Sequence, residues 1–185
     1  MARDPYMTWF KLPSDFDVAT HGNDLVYMTA QQSNEWAVGT VDAGTPSVFS
    51  RYLIWNNWNY PSEVAFDATQ CTLSTRTKDN GSHEGQGQAV VQGLWVQTRC
   101  LSGGDTEATP PMAVGYNTNT SAFVEKPIKG HGSVGTQTIK GAINNGTYND
   151  GLTKGTFAEV QVRAYPPVDA PAGLHNFLLR AYYNF

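Results

Sequence analysis

Charge is scarce in this chain. Only 15% of its 185 residues are Asp, Glu, Lys or Arg, and the twelve lysines and arginines are scattered, leaving a formal net charge of -4. Binding nucleic-acid phosphates needs a basic stripe, so a general nucleic-acid partner is excluded. Long apolar runs are absent as well. Mean hydropathy is -0.39, and no run approaches the roughly 20 residues that a membrane-spanning helix needs, so a soluble protein with no membrane partner is expected. The four histidines, His21, His83, His131 and His175, lack any paired spacing such as His-x-His, which argues against a zinc site. Catalytic signatures are missing: there is no Gly-x-Ser-x-Gly elbow and no phosphate-cradling glycine loop followed by Lys, and His83-Glu84 continues as Gly-Gln-Gly instead of closing a His-Glu-x-x-His motif. The pairs Asp15 and Asp17, and Asp105 and Glu107, lie in polar loops where turn residues and solvated charges are the ordinary reading. The expectation is a binding protein without cofactor or metal, not an enzyme.

What remains is rich in glycine (18), proline (10), Trp, Tyr, Asn and Thr. No window sustains apolar residues at helical spacing, whereas period-2 alternation is easy to find, so the chain reads as one all-β domain over residues 1–185. Strands are expected at Leu25 to Thr29, Glu35 to Val41, Val48 to Trp55 and Gln88 to Cys100. Phe157 to Tyr165 alternates with Ala158, Val160, Val162 and Ala164 on a core face and Glu159, Gln161 and Arg163 on a wet one; Asn176 to Phe185 alternates again.

Directly after Tyr52-Leu53-Ile54 comes Trp55-Asn56-Asn57-Trp58-Asn59-Tyr60, three flat rings among three amides. Rings stack on the apolar face of a sugar or peptide while amides bond its edge, so Trp55, Asn57, Trp58, Asn59 and Tyr60 form the first candidate binding surface. The competing reading packs Trp55 or Trp58 in the core. Two further loops are candidates: the glycine-rich Thr77 to Gly87, with Arg76, Asp79 and Asn80 able to engage hydroxyls or an acidic group, and Gly115 to Thr120, with Tyr116 beside Asn117. The two cysteines, Cys71 and Cys100, flank an insert on strand-like runs. A disulfide between them would be worth about 3–4 kcal/mol by chain entropy and would indicate an oxidising compartment; two free thiols in a cytosolic protein are the other reading. The opening Met1-Ala2-Arg3-Asp4-Pro5, without an apolar leader, fits a cytosolic protein or a mature domain whose signal was removed.

The run Gly155 to Tyr165, then Pro171-Ala172-Gly173-Leu174 and a closing strand to Phe185, resembles the end of domains from chaperone-usher fimbriae, in particular the N-terminal lectin domains of two-domain fimbrial tip adhesins. The resemblance implies an immunoglobulin-like or jelly-roll β-sandwich, extracellular display at a pilus tip after passage through the periplasm, a host glycan or glycoprotein as ligand, and pilin subunits as partners through a C-terminal domain beyond Phe185. No binding residue is carried over from that family, and the site residues above rest on loop chemistry alone. Two other classes fit the composition: a phage or viral receptor-binding or structural β-sandwich, and a polysaccharide hydrolase with facing carboxylates.

Overall fold

The computed structural model describes residues 2–33, 35–79, 81–131, 137–150 and 155–185. Among the described residues nine strands carry the fold: β1 (Met7–Leu12), β2 (Ser50–Asn56), β3 (Thr69–Thr77), β4 (Val96–Cys100), β5 (Met112–Asn117), β6 (Ala122–Val124), β7 (Lys126–Pro127), β8 (Phe157–Ala164) and β9 (Phe177–Asn184). Three short helices join them: α1 (Val18–His21), α2 (Leu25–Ala30) and α3 (Gln88–Gln92). The strands form a six-stranded sheet ordered β1-β2-β8-β4-β5-β6 and a three-stranded sheet ordered β7-β3-β9, so the chain is an all-β sandwich, as its alternation indicates. No helix among the described residues is long and apolar enough to cross a membrane.

Alternation sets both faces of the larger sheet. Ala158, Val160 and Val162 of β8 point inward with Tyr52 and Ile54 of β2, meeting Leu73 and Cys71 of β3 in the core between the sheets. The opposite face is not wet, which corrects the reading of β8. Phe157, Leu53, Trp55, Phe10 and Leu12 pack there under Phe16 and Met28 in a second core, and Glu159 and Gln161 beside them are only 4% and 8% exposed. The 12–30 segment and the loops after β4 roof this face, so the polar residues of β8 are buried with partners: Glu159 takes the Arg51 guanidinium and the Tyr148 hydroxyl.

Three expected strands take other forms. Leu25 to Thr29 is helical because the Asp24 carboxylate accepts from the Tyr27 backbone N–H at 3.0 Å, an N-cap that satisfies an end the short apolar run could not satisfy alone. Gln88–Gln92 is helix α3, and the strand begins only at Val96, after Leu94 adopts φ 55°. Glu35 to Val41 is irregular and packs across the mouth of the sandwich.

Candidate ligand-binding cleft

The aromatic-amide run folds as a knot in the protein's own backbone. Trp55 is fully buried, with its ring 4.8 Å from Phe157 and 5.7 Å from Phe10. Asn57 is 1% exposed; its amide donates to the Glu63, Gly141 and Ala142 carbonyls at 2.8, 3.2 and 3.3 Å. Trp58 is half-buried against Phe10 and donates its indole N–H to the Gly146 carbonyl at 3.0 Å, while the Asn59 N–H donates to the Asn144 side chain. Asn57 and Asn59 take φ of 58° and 52°. Asn tolerates this left-handed conformation better than most residues, so the amides are there to turn the chain after β2. The structure thus corrects Trp55 and Asn57 as ligand contacts: they are core and turn residues. Of the run, Asn59 and Tyr60 stay exposed, the latter with the Arg3 guanidinium 4.1 Å from its ring.

The other candidates fall on a different part of the molecule. Arg76 is 4% exposed, ion-paired to Glu125 at 2.6 Å and 3.3 Å from the Phe123 ring, which removes it as a free cation for a ligand. Tyr116 meets the same Phe123 ring edge-on at 5.0 Å and stacks on His83 at 3.7 Å. Asn117 closes the β5–β6 turn by accepting from the Asn119 N–H. Asp79 is exposed and accepts from the Gln86 N–H, which ties the 77–87 loop; Asn80 lies outside the described residues. The fold therefore joins Arg76 to Tyr116 through Phe123, whereas the 55–60 turn joins the 141–146 segment.

Both cysteines are buried free thiols, so the expected disulfide is corrected. Each sulfur lies within reach of a backbone carbonyl, that of Ala68 for Cys71 and that of Lys129 for Cys100. Burial pushes the Cys71 thiol up to about 11 against a backbone hydrogen bond that pulls it down. Asp17 caps α1; the Thr20 hydroxyl and the Ala19 N–H hold its carboxyl below its ordinary value. Burial alone would raise Asp105, but the Lys126 ammonium and the Cys100 N–H outweigh it and hold the carboxyl low. Among the described residues no three His, Cys, Asp or Glu gather as a metal site.

An open cleft lies elsewhere. The three-stranded sheet ends at β9, and beyond that edge the cleft is bounded by the irregular segment after Glu35 and by the 166–176 loop before β9. The gap is a cleft of ≈ 1330 Å³. Three of the five tryptophans line it, together with Tyr52 and Phe177. Trp9 stands on β1, edge-on to Tyr52 at 6.2 Å. Trp36 donates its indole N–H to the Ser50 hydroxyl at 3.1 Å and meets Phe177 of β9 edge-on at 5.7 Å, so its ring is held while remaining half-exposed. Trp95 precedes β4 and packs edge-on to His175 at 5.0 Å. Glu35, Asp42 and Lys78 add polar groups to the lining. These rings come from five separate stretches of sequence, and no spacing marks them; the offset between a wide sheet and a narrow one brings them together.

The fold and this site define a class, an all-β sandwich with an aromatic cleft at its open side. No known family model matches the chain, and neither a curated protein nor a solved structure is significantly similar to it.

Proposed function

We propose that this chain is a recognition domain that binds a host glycan or glycoprotein in the Trp9–Trp36–Trp95 cleft, the task of an adhesin displayed outside the cell at a pilus tip. One observation carries the reading: two part-exposed indoles, Trp9 and Trp36, over the buried Trp95 face an open, polar-rimmed cleft large enough for several sugar units, since pockets for small ligands span roughly 300–1,000 Å³. Rings fixed edge-on by neighbours present their faces at little entropic cost, which suits stacking on the C–H face of a pyranose, while Glu35, Asp42 and Lys78 supply hydroxyl partners. With the disulfide gone, the case for an oxidising compartment goes too, so display on a pilus and a pilin partner rest on the resemblance of the last strands alone.

The test is a glycan and glycoprotein array probed with the parent, Trp36→Ala and Trp58→Ala. Binding that is lost in Trp36→Ala and kept in Trp58→Ala supports the cleft; the reverse pattern returns the site to the turn after β2. The lining carboxylates Glu35 and Asp42 leave a hydrolase outcome to be read in the same experiment, as new reducing ends that vanish in Glu35→Gln.

A second reading, a subunit of a phage or viral assembly, is favoured by a different observation. Tyr6, Tyr60, Val64, Phe66 and Phe185 are 38–69% exposed. The chain gathers several of them at one corner: Arg3 bridges Ala65 and lies over Tyr60, and Phe66 stacks on Phe185 at 6.5 Å. A silent array together with a stable oligomer by light scattering would select this reading.

A further inference from the structure

On the opposite face of the six-stranded sheet, β1, β2, β8 and β4 place Leu12, Arg51, Gln161 and Arg99 in one cross-strand row. Above that row lies a second cavity of ≈ 820 Å³, lined by Lys11, Ser14, Ser50, Arg51, Arg99 and Gln161, with Glu107 as its sole lining carboxylate. The two arginines differ in kind. Arg51 is neutralised by Glu159, whose second oxygen accepts from the Tyr148 hydroxyl.

Arg99 is not neutralised. It is 9% exposed, donates Nε to the Thr109 carbonyl at 2.6 Å and Nη1 to the Gln161 side chain at 3.4 Å, and lies 4.6 Å from the Phe49 ring. Among the described residues no carboxylate is within ion-pair distance of it. Asp105 senses its charge, but that carboxylate is committed to Lys126 and the Cys100 N–H. A buried cation with neutral acceptors and no counter-ion is costly, and an anion placed beside it recovers that cost.

We propose that this cavity is an oxoanion site, taking a sulfate or phosphate group against the remaining Nη2 donor of Arg99, with Lys11 of the edge strand supplying a second positive charge and Ser14 a hydroxyl. The charged Nη2 amino group donates to such a group, and a ring held at the guanidinium face keeps the plane fixed. The site lies across the sheet from the aromatic cleft and stands or falls independently of it.

The experiment is a thermal-shift and calorimetric titration of the whole chain with sodium sulfate, sodium phosphate and sodium acetate at one ionic strength, with chloride as reference. Sulfate and phosphate are expected to raise Tm saturably, by about 5–10 °C at a hundredfold excess over Kd, and Arg99→Met to abolish the effect. Glu107→Gln, at an exposed position, is expected to tighten sulfate binding by roughly two- to fivefold by removing the one opposing charge. A sulfated disaccharide binding tenfold tighter than free sulfate would place the anion on a sugar, and equal affinity would make it the free ion. No saturable effect beyond chloride, or an undiminished one in Arg99→Met, overturns the proposal. Should Arg99→Met fail to fold, an unchanged affinity in Glu107→Gln overturns it as well.

Discussion

Two groups of aromatic residues in this protein are built from the same side chains and do opposite work. In the turn after β2, Trp55 and Trp58 are contiguous with amides and face inward, and their polar neighbours bond carbonyls of the 141–146 and 63–66 segments. In the cleft, Trp9, Trp36 and Trp95 are far apart in sequence and are held edge-on by other rings, Trp9 and Trp36 part-exposed at open space and Trp95 buried beneath it. Density of rings along a chain therefore reports local knotting, while a binding surface is assembled from dispersed rings by the offset of two sheets. The distinguishing quantity is where the neighbouring amides spend their hydrogen bonds.

The sharpest way to break the comparison is truncation. Trp55→Ala is expected to cost about 3–5 kcal/mol in urea unfolding, the usual range for deleting a fully buried indole. Trp36→Ala should cost no more than about 1–2 kcal/mol, for one half-buried ring and one indole hydrogen bond, while removing cleft binding. Equal losses of stability would erase the distinction.

A backbone test comes next. Gly146 sits at φ 77°, and an added Cβ would lie 2.8 Å from Asn59 Cβ and 3.0 Å from Trp58 Nε1. Gly146→Ala should therefore cost about 2 kcal/mol through strain and crowding, with a shift in Trp58 emission, and should leave cleft binding intact.

Alkaline pH gives a third, smaller effect centred on the core beneath the cleft. Burial raises the Cys71 thiol from 9.0 to about 11 and raises the Tyr52 hydroxyl as well. Both groups favour the protonated form when folded, so their contribution is intact below the unfolded value and is lost as pH climbs from 9 toward 11. The urea midpoint should fall across that window, and Cys71→Ala should flatten the fall. In the same samples a thiol reagent should count two free cysteines after unfolding and almost none before.

The smallest effect belongs to Asn59→Gly. Its side chain is exposed and its φ of 52° is one that glycine adopts freely, so stability should stay within about 0.5 kcal/mol of the parent. A larger loss would mean that the Asn59 side chain does more than permit the turn.

Much of the sandwich was legible in sequence where the period was long and uninterrupted. Phe157–Ala164 and Phe177–Asn184 alternate over eight residues each, enough for one face to be chosen against the other. Shorter runs were not decidable: in Leu25 to Thr29 a capping aspartate outside the run outweighed its β-branched content. The candidate site was the least legible part. Position along the chain carries no information about which rings share a cleft when the two strands beside it, β1 and β9, are the first and the last. The buried Arg99 was equally hidden, since nothing local distinguishes a guanidinium with a carboxylate partner from one without.

The place of β8 between β2 and β4 has a consequence for how the protein is made. Arg51 and Glu159, partners across β2 and β8, are separated by 108 residues, and β3 finds its partner β9 at a comparable remove. Until β8 and β9 have emerged, the wider sheet is split between β1-β2 and β4-β5-β6 and the narrower one has only β7 beside β3. Folding of the sandwich thus waits on its two last strands and has a high contact order, slow to begin because long loops must close before they are rewarded. A nascent chain waiting for β8 exposes the edges of β2 and β4 together, which makes that interval the one in which aggregation competes.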